Sequence, residues 1–119
     1  MRTQRTIPLS AHAAIETIAG PAIMVAPFVF GFGQSATLIA FAIGALLLGL
    51  AIQAAGPSRA IPLSAHAGFD YMLAAGAAIS GLAIGIATGE WGATSFLVGI
   101  GAAQAALTAA TRFSAPLGA

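Results

Sequence analysis

Apolar residues run almost unbroken through four stretches of the chain, Leu9 to Phe30, Ser35 to Ala55, Ser64 to Thr88 and Ala93 to Thr111. A bilayer core of about 30 Å takes roughly 20 such residues as a helix, because no water is present there to pair free backbone groups. Each stretch is long enough to cross. Turn residues separate them: Gly31, Gly33 and Gln34, then Gly56, Pro57 and Ser58, then Gly89, Glu90 and Gly92. These loops are short, so successive helices are expected to be antiparallel neighbours. The pattern predicts an all-α polytopic membrane protein of four transmembrane helices, in one membrane domain over residues 1–119.

Composition narrows the class further. Of 119 residues 59% are hydrophobic and 6% are charged, with a mean hydropathy of +0.97, against roughly 25% charged residues in soluble domains. The formal net charge is +1 and the chain has no Lys. No basic stripe is therefore available to neutralise phosphates, which makes the lipid bilayer, and not nucleic acid, the expected partner. The absence of Cys removes disulfides and thiolate metal sites.

Charge position predicts orientation. Arg2 and Arg5 precede the first span, Arg59 lies between the second and third, and Arg112 follows the fourth. All four cations then fall on one side, which the positive-inside rule makes cytoplasmic, with both termini there and the protein in the inner membrane of a bacterium. Trp91, in the opposite loop, is expected to anchor that interface. The first apolar run is about 22 residues long and is expected to be a retained span, since a cleavable signal has a core of roughly 7 to 15.

An internal repeat supports that last reading. Offsetting the chain by 54 residues places Arg5-Thr-Ile-Pro-Leu-Ser-Ala-His-Ala13 on Arg59-Ala-Ile-Pro-Leu-Ser-Ala-His-Ala67, identical at eight of nine positions. The units cover approximately 5–56 and 59–112, with Glu16 falling on Asp70, Val25-Ala-Pro-Phe28 on Ile79-Ser-Gly-Leu82, and Gly31 on Gly85. Two spans per unit bring both halves into the membrane in the same direction, related by a pseudo-two-fold axis along its normal. Equivalent residues then sit at equal depth. Pro8 and Pro62 are expected to keep the preceding residue out of the helix, Ser10 and Ser64 to cap the helix starts, and Pro21 and Pro27 to kink the first span.

Helices in lipid associate through close approach at small residues. Gly81, Gly85 and Gly89 form such a ridge, as do Ala36, Ala40 and Gly44 on the second helix and Ser95, Gly99 and Ala103 on the fourth. These ridges suit packing within one chain, or alternatively a homo-oligomer or contact with another membrane protein.

The polar chemistry is concentrated in two pairs. His12 and Glu16 are four residues apart, as are His66 and Asp70, so each pair projects from one helix face. A charged carboxylate in mid-span costs on the order of 2.5 to 3.5 kcal/mol on insertion scales, so it turns inward and finds a partner. Equal depth lets the pairs meet as a cluster of two imidazoles and two carboxylates. The leading reading is structural, with the pairs fixing helix register. Two others compete. A proton or ion relay would have to continue through Gln53, Ser80, Thr88 or Gln104, none obviously aligned with the cluster. A Zn or Mn site fits by ligand type, but HxxxE and HxxxD are not recognised zinc signatures. A bis-imidazole haem on His12 and His66 would not want a carboxylate one turn below each ring. No metal or cofactor is therefore expected, and no catalytic residue either: the chain has no Walker loop, HExxH, GxSxG or dinucleotide fingerprint.

The opening IPLSAHAxxE followed by Gly20 and Ala26-Pro-Phe-Val-Phe-Gly-Phe32, with a second round opening IPLSAHAxxD, resembles the SPW-repeat family of small bacterial integral membrane proteins. In that family a two-span unit, commonly duplicated, carries a Ser-Pro-Trp-type motif near the outer end of its first helix. Here Ala26-Pro27-Phe28 stands in its place in the first half and Ser80-Gly81-Leu82 in the second. The resemblance implies a four-helix membrane bundle and no particular activity. The expected function is thus a non-enzymatic structural or partner-binding bundle, with a small transporter or channel-like oligomer using the His and carboxylate groups as the alternative.

Overall fold

The computed structural model describes residues 5–56 and 62–113. Four helices follow in order: α1 (Leu9–Phe30), α2 (Gln34–Ala55), α3 (Leu63–Thr88) and α4 (Trp91–Ala110). All four are long and apolar enough to cross a membrane. At 1.5 Å per residue, the 22 residues of α1 span about 33 Å, enough to cross the hydrocarbon layer. The helices pair as two hairpins, α1 with α2 and α3 with α4. In each spanning window no more than 39% of residues are buried, so most of the apolar surface faces outward, as lipid-exposed helices require. Arg2, Arg59, Pro57 and Ser58 lie outside the described residues.

Helix ends follow backbone chemistry more than side-chain capping. Pro8 and Pro62 occupy the N-cap positions with extended backbones, ψ 155° and 148°. The ring fixes φ near the helical entry value and has no N–H to leave unpaired. Ser10 and Ser64, expected as caps, instead lie inside the first turns, exposed, and the caps make no side-chain hydrogen bond. The proline displaces them by starting the helix one residue before each serine. At the other ends Gly31 (φ 70°) and Gly89 (φ 77°) close α1 and α3 in the left-handed conformation that glycine adopts without a Cβ penalty. Pro21 and Pro27 sit inside α1, which runs continuously through both.

The shared glycine cap corrects the repeat alignment. Gly31 donates its N–H to Pro27 O and Gly89 donates to Gly85 O, so the structural counterpart of Gly31 is Gly89 and not Gly85. α3 has 26 residues against 22 in α1, and four extra residues are close to one turn, which leaves the helix faces in phase. The crossings also slip, by three residues. A Cβ on Gly44 would strike Gly20 O and Met24, and one on Gly101 would strike Ala74 O and approach Ala78. Gly20 and Ala74 keep the 54-residue offset, whereas Gly44 and Gly101 are 57 apart.

Of the expected ridges, Gly81 and Gly85 lie against Leu97, Thr94 and Trp91 of α4, and Ala36, Ala40 and Gly44 are buried. Gly89 does not join its ridge: it is the α3 cap and has open space around it. Ser95, Gly99 and Ala103 face outward. Trp91 is the first residue of α4 and 55% exposed, and Tyr71 is also exposed. Ile23, Ala36, Ala40, Ile43, Leu47, Ala77, Ile84, Ala93 and Leu97 form the main core. One element has no counterpart in the hydropathy pattern: Ile7–Pro8 (β1) pairs in parallel with Thr111–Arg112 (β2), so the fourth helix stops at Ala110, short of the expected Thr111.

Candidate functional site

The four ionisable side chains of α1 and α3 meet in one cluster. His12, Glu16, His66 and Asp70 are each no more than 1% exposed. His12 Nε2 lies 3.0 Å from Glu16 Oε1 and 2.9 Å from Asp70 Oδ2. His66 Nε2 lies 3.2 Å from Asp70 Oδ2 and 3.4 Å from Glu16 Oε1. Each imidazole thus faces the carboxylate of its own helix and that of the other hairpin. The imidazole centroids are 5.7 Å apart with the rings at 73°. The carboxylates fill the space between the rings, where a haem bridging them would have to lie.

Surrounding residues hold the cluster in place. Gln104 Nε2 donates to Glu16 Oε2 at 2.9 Å. Thr111 Oγ1 donates to Leu107 O at 2.6 Å and lies 2.7 Å from His12 Nδ1. A hydroxyl has one proton, so once Thr111 gives it to Leu107 it accepts from His12, and Nδ1 carries the hydrogen. That fixes the tautomer. His12 Nε2, the atom aimed at both carboxylates, then bears either a second proton or a lone pair directed at a cation. The ring of Phe113 packs against both imidazoles, edge-on to His12 with centroids 5.1 Å apart and tilted to His66 with centroids 5.6 Å apart. Leu9, Ala13 and Ala54, with Leu63 and Phe113 packed on them, form a second apolar cluster at the same end.

Several buried atoms at the cluster have no hydrogen-bond partner among the described residues: Glu16 Oε1, His66 Nε2 and Asp70 Oδ1, with Thr108 Oγ1 on α4. A buried polar group left in this state costs about 1 to 3 kcal/mol, more when charged. Native structures keep few such groups, and those they keep call for an explanation.

Sequence spacing brought His12, Glu16, His66 and Asp70 to one depth; the structure brings them into contact. Gln104, not obviously aligned from sequence, is a direct partner of Glu16. Thr88 and Ser80 bond instead to carbonyls of their own helix. Thr111 and Phe113 were not anticipated. One signal for Thr111 was available: Gln104, Thr108 and Thr111 recur at helical spacing on an otherwise apolar segment and form a buried polar stripe.

Away from the cluster, Glu90 accepts a hydrogen bond from the Gly33 N–H at 2.7 Å, joining the two turns at the opposite end. A groove of about 420 Å³ near the first turn is lined by Pro27, Phe28, Phe32, Thr37 and Leu38 among others, with no titratable side chain in its wall. No protein-family model matches the chain, and no curated protein and no solved structure is detectably similar to it.

Proposed function

We propose that this small multi-pass protein is a non-enzymatic structural component of a bacterial inner membrane, with both termini cytoplasmic, whose two hairpins are fastened by His12, Glu16, His66 and Asp70. Kinship with the SPW-repeat family belongs to the same reading. The observation that carries it is the exchange of partners between hairpins: His12 Nε2 of α1 lies 2.9 Å from Asp70 Oδ2 of α3, and Gln104 of α4 donates to Glu16 of α1 at 2.9 Å. Such contacts supply in lipid what water exclusion cannot, since the hydrocarbon is as apolar as the helix surfaces.

Fastening is favoured over transport by what fills the bundle beyond the cluster. Toward the Glu90 end lie Ile23, Ile43, Leu47, Ala77, Ile84 and Leu97, packed together. None of these side chains carries a proton. Lipid is the main partner, and the outward small residues Ser95, Gly99 and Ala103 leave room for a second copy or another membrane protein.

The test pairs stability with flux. Glu16→Gln and Asp70→Asn are expected to insert normally, to unfold at lower temperature in detergent, and to leave proton and ion flux in proteoliposomes at the wild-type level. Flux lost in both variants, with unfolding temperature unchanged, overturns the proposal in favour of transport.

A further inference from the structure

The geometry points to an assignment that rests on this fastening role and names its ligand: His12 Nε2, His66 Nε2, Glu16 Oε1 and Asp70 Oδ2 are the four ligands of a tetrahedral divalent ion of the zinc class, stapling one hairpin to the other.

Distances support it first. Four ligands about 2.0 Å from a zinc ion stand about 3.3 Å apart in a regular tetrahedron. Four of the six ligand-to-ligand separations, those between nitrogen and oxygen, run from 2.9 to 3.4 Å, and one ligand atom from each residue lies within 4.8 Å of all the others, so a shift of the nitrogen–nitrogen or oxygen–oxygen pair completes the tetrahedron. Calcium, which takes six to eight oxygens at longer range, does not suit two nitrogens and two oxygens.

Hydrogen bonding then separates a metal from a pair of protonated histidines. Protonation satisfies part of the cluster, since His12 Nε2 can donate to Asp70 Oδ2. It leaves His66 Nε2 and Glu16 Oε1 buried without hydrogen-bond partners among the described residues, although His66 Nε2 is within 3.4 Å of both carboxylates. The nitrogen is close to both oxygens and directed at neither, as expected of a lone pair aimed at a point between them. One cation at that point engages all four atoms together. Two neutral imidazoles, two carboxylates and a divalent ion sum to zero charge, as two protonated imidazoles with two carboxylates do, so the low-dielectric interior accepts either and hydrogen bonding makes the choice.

On the α1 half the outer contacts match those of a metal site, while Asp70 Oδ1 on the α3 half stays buried without a hydrogen-bond partner among the described residues. Ligating histidines usually donate their second N–H to an oxygen, and ligating carboxylates are themselves hydrogen-bonded. His12 Nδ1 faces Thr111 Oγ1 at 2.7 Å, and Gln104 holds the second oxygen of Glu16. Four protein ligands under an apolar cover describe a closed structural site, without the open position that zinc catalysis needs. The HxxxE and HxxxD spacings hide this because each hairpin holds half of the ligand set.

Zinc content of the full chain, purified in detergent without chelator, provides the first test, followed by titration of chelator-stripped protein with zinc alone and with cobalt alone. About one zinc per chain is expected, with a zinc-dependent rise in unfolding temperature and the intense visible absorption of four-coordinate cobalt. His66→Gln should abolish that absorption. Thr111→Val keeps all four ligands and should weaken zinc binding by about tenfold or more. Wild-type protein with no stoichiometric zinc, no cobalt spectrum and no thermal shift overturns the ion; weak octahedral-type cobalt absorption overturns the four-ligand geometry. The two proposals separate cleanly. If zinc fails to bind while Glu16→Gln still destabilises the protein, the fastening survives and the ion falls. If zinc binds yet neither Glu16→Gln nor Asp70→Asn changes stability, the ion survives and the fastening falls.

Discussion

The two ends of the bundle are tied in opposite ways. At the turn end one half-buried carboxylate, Glu90, accepts a hydrogen bond from the backbone of Gly33 at the start of α2. At the other end four ionisable side chains, each no more than 1% exposed, converge under Phe113. The first tie is local, because a carboxylate near a helix N-terminus is favourable with or without neighbours and water can replace it. The second is collective. Removing one member strands the others in a place water does not reach, so the cluster has value only when complete.

That contrast sets an order of effects. Asp70→Ala is expected to cost most, about 3 to 5 kcal/mol, the penalty for breaking a buried charged pair; unfolding in a graded detergent mixture measures it. Thr111→Val comes next, at about 1 to 3 kcal/mol in the metal-free protein, because His12 Nδ1–H loses its acceptor in a dry site. Glu90→Ala should cost least, at most about 1 kcal/mol, and less as salt is added, since its bond lies at the bundle's edge. If Glu90→Ala proved as damaging as Asp70→Ala, the distinction between the ends would collapse. A double variant of Asp70 and Glu90 sharpens it: the tie sites are on opposite sides of the core, so their costs should add within about 0.5 kcal/mol.

How far the chain could be read in advance differed by kind of feature. Span positions were legible nearly to the residue: α1 covers Leu9–Phe30 as its hydropathy required, and α2 and α3 each begin one residue earlier than expected. Long apolar runs carry that information locally. The equal depth of the two His and carboxylate pairs was legible too, through the duplication. The helix starts were misread where Ser10 and Ser64 look like caps, because the prolines two residues before them already end the extended segment. Gly85 was misplaced as the partner of Gly31 because identity fades after the first third of each repeat, and only the left-handed cap at Gly89 reveals the added turn in α3.

Hydropathy, charge and the duplicated segment therefore determined that this chain forms four helices long and apolar enough to cross a bilayer and sets two matched polar pairs level with each other, since helix length and repeat register are properties of consecutive residues. Tertiary structure alone decided that the pairs interlock across the hairpins, that Gln104 and Thr111 from the far end of the chain orient them, and that each Nε2 comes within 3.4 Å of both carboxylates. Those relations depend on the rotation of each helix about its axis and on β1 meeting β2, which join residues 99 positions apart in the case of His12 and Thr111. No local pattern encodes them.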